Sequence, residues 1–387
     1  MSLPPPGTTR RLPSLAGVRG VTAILVFAVH GYGTIWAAGM SPETQERGTR
    51  LAVPLVALFF VLSGFVMVWS ARNSDTARGF WRRRAAKVLP THAIGWLLCL
   101  VLLVGSGATL LSTVPTLFLV QNWYPSVEMN HGTSAVAWSL SVEAFCYLLF
   151  PVLLPLLRRI PANRLWACAA LVTAAIVAVP TLAGLLEGGE PLPGRDISVT
   201  QYWLVFLFPP VRLLEFVLGM LLALALLHGR RVPLGVGAAC ALFAASLLAG
   251  QFVPSLYSYA SVSALPVGLL VLALAAADAR GTASPFRSRA AVWMGDTSYA
   301  IYLTHLVVIT VVASSYPPGR VRGLPEGIGL LLLAFALCVG LSRMLFLTVE
   351  EPLSRRLGRP TGSRDGRAPE PAGTARPRGG TERLATP

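Results

Sequence analysis

Ten stretches of about twenty apolar residues follow one another along this 387-residue chain, and that repetition limits its fold more than any other feature. They run near residues 14–36, 51–70, 91–109, 137–157, 165–186, 203–227, 232–250, 258–277, 297–315 and 326–348. A segment of this length crosses a hydrocarbon layer of roughly 30 Å as an α-helix, which satisfies its own backbone hydrogen bonds. The pattern predicts an all-α fold, a polytopic transmembrane helical bundle of about ten spans. Composition agrees: 54% of residues are hydrophobic and only 13% charged, too few charges to cover a water-soluble surface. Residues 110–124 are apolar but short and interrupted by Pro115. Counting them as a span would invert everything after them, so they are expected to form a re-entrant or interfacial segment.

The net charge of +15 does not gather on one folded basic face, as nucleic-acid binding would require. It sits in short runs between apolar stretches. These are Arg10 and Arg11, the 71–90 loop with Arg72, Arg78, Arg82, Arg83, Arg84 and Lys87, then Arg158, Arg159 and Arg164, then Arg230 and Arg231, then Arg280, Arg287 and Arg289. In a ten-span count every run falls on one side. The opposite loops set Glu43, Glu46, Glu128, Glu187, Glu190 and Asp196 against Arg47, Arg50, Arg195, Arg320 and Arg322. The basic side is therefore expected to be cytoplasmic, with both termini on it. Lys87 is the single lysine beside 31 arginines, a bias of GC-rich genomes that points to a bacterial inner membrane. The expected division is a cytoplasmic N-terminus (1–11), one membrane domain (12–353) and a disordered basic cytoplasmic tail (354–387). Cys99, Cys146, Cys168, Cys240 and Cys338 all lie in apolar stretches without CxxC spacing, so neither disulfides nor a metal site are expected.

Ionisable groups inside lipid are costly to keep, which makes those within the spans the candidates for chemistry. Arg19 and His30 lie eleven residues apart in the first stretch. At 3.6 residues per turn both project from one face, about 16 Å apart along the axis. A guanidinium near the basic end can hold a phosphate or a carbonyl, and a neutral imidazole further in can take a proton from an attacking hydroxyl. A snorkelling arginine and a histidine bonded to a neighbouring helix fit the same positions. Glu143, in Trp138-Ser139-Leu140-Ser141-Val142-Glu143, either stabilises a protonated His30 or complements a helix dipole. Trp138 and Tyr147 read as packing or interface residues. Arg212 and Glu215, three apart, form an intrahelical ion pair that offsets the cost of burial. Arg84 and Lys87, one turn apart, meet lipid headgroups or bind phosphates. His305, with Tyr299 and Tyr302 on nearby turns, lines a substrate path or is a structural partner. Ser63 lacks the Gly-x-Ser-x-Gly context of a nucleophile, and the small residues around it favour close helix packing. His92, His131 and His228 fall at span ends or in loops and receive no chemistry.

The ordered series Leu15-Ala16-Gly17-Val18-Arg19-Gly20 with His30, Phe59 to Phe65, Phe80 to Pro90, Trp138 to Glu143, Arg212 to Gly219, Tyr299 to His305 and Glu351-Pro352 resembles the membrane acyltransferase-3 family over about residues 12–353. The resemblance implies O-acylation of surface polysaccharides, peptidoglycan, lipid-linked sugars, or macrolide and related antibiotics. It implies that Arg19 and His30 are the essential pair, that Arg84 and Lys87 match paired arginines assigned to donor binding, and that Glu143 falls in a recurrent motif. Lys87 departs from the second arginine, keeping the charge but losing the bidentate fork. Within these residues nothing reads as the hydrolase-like domain that some polysaccharide-modifying members append, so the resemblance favours the bare membrane unit of antibiotic-tailoring relatives.

The expected reaction carries an acetyl or short branched acyl group from acyl-coenzyme A to a sugar or macrolide hydroxyl. Arg19, Arg84 and Lys87 would hold the donor, which is a substrate and not a resident cofactor. His30 would act as base with Glu143 or a nearby polar group as its partner, and His305 and Tyr302 would line the acceptor path. The membrane lipid is the surrounding partner. A multi-span transporter or flippase would also keep buried charge, but it would move its substrate without consuming a thioester.

Overall fold

The computed structural model describes residues 11–357 apart from 73–74, 103–109, 132–133, 187, 260 and 316–321. Residues 1–10 of the expected N-terminal segment, 358–387 of the expected tail, and the end of the third span lie outside the described residues. The main elements are α1 (Pro13–Ile35), α2 (Pro42–Ser70), α3 (Ala77–Leu102), α4 (Leu110–Leu117), α5 (Trp138–Arg158), α6 (Leu165–Gly184), α7 (Pro209–Leu227), α8 (Val236–Ala249), α9 (Ser261–Arg280), α10 (Arg289–Ser314), α11 (Leu324–Leu345) and α12 (Glu351–Leu357). The fold is all-α, with one isolated bridge between Pro191 and Ser198 among the described residues. Nine of the described helices, counted with their continuations, are long and apolar enough to cross a membrane.

The exception is α8, whose 14 residues reach only about 21 Å. The direction of α10 shows that the chain nevertheless crosses there. Gly17 packs on Phe286 and Ala291, Gly20 on Gly295, and His30 on His305, so α1 and α10 run parallel. Parallel alignment needs an even number of crossings before α10, and α8 raises the count from seven to eight. Both ends of α9 agree. At one, Arg50 in the first turns of α2 donates to the carbonyls of Gln251 and Val253. At the other, Asp278 accepts from the N–H and hydroxyl of Ser14, at 2.7 and 2.8 Å. The described chain thus begins and ends on the face that carries Ser14, Asp278 and the Arg-rich start of α3, here called the basic face.

Several helices are longer than their apolar stretches. The segment 71–90, expected as a loop, is helical from Ala77, because the Thr76 hydroxyl accepts the N–H of Gly79 and Asp75 pairs with Arg83 at 2.8 Å. The same helix carries Arg84 and Lys87 into the bundle. On the other face α2 starts at Pro42, with Ser41 accepting from the N–H of Thr44 and Glu43 in the first turn. Residues 354–357, expected in the tail, complete α12.

The segment 110–124 is re-entrant, as its length and Pro115 predict. It makes α4, turns at Leu119 with φ 59°, and continues through a short 3₁₀ turn at Gln121–Trp123. Irregular backbone survives at this depth because side chains satisfy it. Trp96 donates to the Thr113 carbonyl at 3.0 Å, Ser141 to that of Leu119 at 2.7 Å, and Trp203 to that of Asn122 at 2.8 Å. His92, assigned no chemistry, anchors the same segment through the Thr116 carbonyl.

At the centre of the bundle α2 meets α7 almost backbone to backbone. A Cβ on Gly64 would lie 2.0 Å from the Phe216 carbonyl oxygen, and one on Gly219 would lie 1.9 Å from that of Val61. The crossing at α8 has a direct consequence for labelling. In a cysteine-free background, Arg231→Cys and Phe252→Cys are expected to react with an impermeant maleimide from opposite faces of sealed vesicles. Reaction from the same face would mean that α8 does not cross.

Candidate functional site

The site grows from the contact between α1 and α10. A Cβ on Gly20 would sit 2.6 Å from the Gly295 nitrogen, and one on Gly295 would sit 2.0 Å from the Ala16 carbonyl oxygen, so only glycine lets these backbones touch. The touch places Arg19 within reach of α10, where its Nη2 donates to the Gly295 carbonyl at 2.7 Å. Three turns further along, the same face brings His30 Nδ1 to 3.2 Å from His305 Nε2. His305 is 1% exposed, and its Nδ1 lies 2.7 Å from the Tyr302 carbonyl.

Arg19 and His30 open into different cavities. An inner cavity of about 370 Å³ is lined by Arg19, Ser63, Arg84, Lys87, Glu143 and Tyr147. An outer cavity of about 590 Å³ is lined by His30, Tyr32, Thr49, Trp138, Arg195 and Tyr202. Val56 and Tyr302 line both, so the two chambers meet at these side chains. A third cavity of about 620 Å³ on the basic face, with Arg72, Arg82, Arg83 and Arg158, shares Met67, Ser70 and Arg84 with the inner one. The three cavities therefore follow one another in an almost continuous line through the bundle.

Glu143 belongs to the inner chamber. It accepts from Tyr147 and, at 3.1 Å, from Ser63, whereas the ring partner of His30 is His305. The sequence expectation that paired Glu143 with His30 is thus replaced by two separate constellations. Tyr147, expected as packing, is part of the first. Arg84 stacks on Phe80 and Tyr147, 5.7 and 5.9 Å from their ring centroids. Lys87 Nζ lies 3.8 Å from the buried carboxylate of Glu350, a residue that sequence reasoning passed over although it precedes the quoted Glu351-Pro352. Glu351 instead pairs with Arg355 at the surface. Arg195 was also missed as a site residue. It is held over the outer chamber by Glu46 at 2.8 Å, Thr49 at 3.1 Å and the hydroxyl of Tyr259.

The expected ion pair of Arg212 and Glu215 is present, both 1% exposed, with Nη1 to Oε1 at 3.1 Å. Phe60, Trp138 and Phe206 surround the guanidinium at 5.5, 5.7 and 5.6 Å. Phe60 lines the inner chamber and the other two line the outer one, so the pair backs the junction.

The fold and site define a helical membrane protein with a basic mouth, a part-buried arginine on the inner chamber and a histidine on the outer one. The chain belongs to the acyltransferase-3 family: the acyltransferase domain model matches residues 12–343. It is a membrane O-acyltransferase, and family membership decides against the transporter reading. It is 37% identical to Acyltransferase MdmB of Streptomyces mycarofaciens, over 90% of this chain and 93% of that protein. It is 30% identical to the exopolysaccharide production protein ExoZ of Rhizobium meliloti, over 78% and 89%. It is 22% identical to the peptidoglycan O-acetyltransferase OatA of Listeria monocytogenes over 78% of this chain, but spans only 50% of that protein. No solved structure matches the chain.

The buried ion pair leads to a stability prediction. Glu215→Ala leaves a buried guanidinium unpaired and is expected to cost about 3–5 kcal/mol, whereas Arg212→Met with Glu215→Leu recovers most of that loss. Chemical unfolding in detergent micelles compares the two.

Proposed function

We propose that the protein carries a short acyl group from acyl-coenzyme A, bound on the basic face, to a hydroxyl of a glycosylated small molecule such as a macrolide, bound in the outer chamber. The observation that carries this reading is the meeting of two chambers at Val56 and Tyr302, with Arg19 on one and His30 on the other. The positive charge of the basic face supports a cytoplasmic position for it in a bacterial cell membrane, with both termini on that side and the arginine-lined cavity open to the coenzyme pool.

Arg72, Arg83 and Arg84 suit the nucleotide phosphates, and the inner chamber with Lys87 and Arg19 suits the pantetheine arm. The eleven-residue interval from Arg19 to His30 spans about 16 Å, a reach appropriate to that arm. From the outer chamber His30 takes the proton of the attacking hydroxyl. The acyl carbon–oxygen bond forms, the carbon–sulfur bond breaks, and the proton passes to the departing thiolate. Lys87, tethered to Glu350, offers a point charge where an arginine would offer a fork. Glu143 shapes the donor chamber through Ser63 and Tyr147.

The acceptor class rests on the outer chamber. Tyr32, Trp138, Tyr202 and Phe206 line it with aromatic rings, and Thr49 and Arg195 add hydrogen-bonding side chains, a combination suited to a sugar on an apolar body. About 590 Å³ lies within the range of small-molecule sites. Similarity to a Streptomyces acyltransferase over nearly the whole of both chains favours a tailoring role over peptidoglycan, whose enzyme matches over half its length.

Purified protein in lipid nanodiscs is expected to release coenzyme A from acetyl-, propionyl- or isovaleryl-coenzyme A only with a matching acceptor from a panel of macrolides and glycans. His30→Ala is expected to slow this release by about 10²–10⁴-fold. Release that persists undiminished in His30→Ala refutes the assignment of the base, and a glycan acceptor in place of a macrolide refutes the acceptor class. Arg84→Ala is expected to raise the donor KM by about tenfold or more while leaving the acceptor KM within threefold, as measured by initial rates.

A further inference from the structure

Two backbone carbonyls bracket the histidine pair. His305 Nδ1 lies 2.7 Å from the Tyr302 carbonyl oxygen, which can only accept, so this nitrogen carries the proton. In the neutral ring Nε2 is then a bare lone pair, and it lies 3.2 Å from His30 Nδ1. His30 Nδ1 also lies 3.1 Å from the Val26 carbonyl oxygen, again an acceptor. Both neighbours of His30 Nδ1 therefore call for a proton on it. The remaining nitrogen, His30 Nε2, is left unprotonated on a residue that lines the outer chamber.

From this we infer that His305 is a positioning residue for acyl transfer. Its Nε2 accepts from His30 Nδ1–H and fixes His30 in the tautomer and ring orientation that present Nε2 to the acceptor hydroxyl. The inference rests on the proposed role of His30 as base. His305 fills the place that a carboxylate holds in many base–orienter pairs. A carboxylate at a site this buried would bring a full charge into lipid, whereas an imidazole supplies the acceptor atom without one. When His30 Nε2 takes the hydroxyl proton, its Nδ1–H becomes a charge-assisted donor to the same His305 nitrogen. The proton leaves from His30 Nε2 to the thiolate, and His305 returns unchanged.

His305 is itself held in place. Its ring lies 5.6 Å from that of Tyr302, whose hydroxyl accepts from Ser139 at 2.8 Å and donates to the Val136 carbonyl at 3.2 Å. The orientation of the base is thus transmitted from the start of α5, through α10, to α1. Glu143 cannot substitute, since it lies on the inner chamber with Tyr147 and Ser63 as its donors.

The test compares His305→Leu and His305→Gln in full-length protein in nanodiscs, using the same release of coenzyme A and measuring kcat and both KM values. Leucine removes the acceptor atom, while the glutamine side chain can return an oxygen near the position of Nε2. His305→Leu is expected to lower kcat about 100-fold with both KM values within threefold, and His305→Gln to keep kcat within about tenfold of wild type. Adding His305→Leu to His30→Ala is expected to change the residual rate by less than twofold, because a residue that acts through His30 has nothing left to position. Equal losses in the leucine and glutamine variants at unchanged melting temperature overturn the inference. So does a further large drop in the double variant. Full activity in His305→Leu overturns it as well and leaves the function reading standing, whereas a wild-type protein without any release removes that reading first.

Discussion

Two helix backbones in contact govern the rest of this protein. Where α1 meets α10, Gly17, Gly20 and Gly295 leave no room for a Cβ, and carbonyl oxygens fill the space a methyl would need. In lipid there is little hydrophobic drive between helices, so such contacts depend on dispersion and on hydrogen bonds between surfaces that fit closely. The approach does more than hold the bundle. It sets the distance at which Arg19 reaches the Gly295 carbonyl and, three turns along, the distance at which two imidazoles meet. A side chain at any of these glycines would move both pairs together.

The second pair of touching helices, α2 and α7, carries the opposite kind of cost. Next to the glycine contact sits the Arg212–Glu215 pair, in which Arg212 Nε and Nη2 and Glu215 Oε2 find no hydrogen-bond partner among the described residues. Such burial costs several kcal/mol per ion by general estimates, which the mutual attraction and three aromatic rings offset. Because those rings also line the two chambers, the pair gives the junction a rigid back wall. The outer rim is built differently, from the Glu46, Thr49 and Tyr259 contacts that hold Arg195.

Most of the architecture was legible because the hydrocarbon layer imposes a length on every span, and 110–124 was legible as a segment that does not span because it is short and interrupted by Pro115, although its turn comes later, at Leu119. Helix ends were less so. Apolar length marks where lipid begins, and the caps at Ser41 and Thr76 carry helices beyond it. At the site, the spacing of Arg19 and His30 gave their common face, since periodicity within one helix is local information. It could not give the helix that the face meets, and so it offered Glu143 or some nearby polar group as the partner of His30 without naming His305. Glu350 escaped for the same reason: its partner Lys87 lies 263 positions away, on a helix whose first turns had been read as loop.

The pair of side chains at which the chambers meet has an electrical consequence. A protein with water-accessible space on both sides of an energised membrane risks becoming a proton conductor, and a pair of imidazoles near the midpoint would be a natural relay for such a leak. Val56 offers no polar atom, and the Tyr302 hydroxyl is already committed to Ser139 and the Val136 carbonyl. The hydrogen-bond chain from His30 also ends at a backbone carbonyl instead of continuing to Arg19 or Glu143. Val56 and Tyr302, where the chambers meet, thus interrupt the line of hydrogen-bonding groups between the two faces, and a bundle interrupted there offers no direct proton wire across the membrane that contains it.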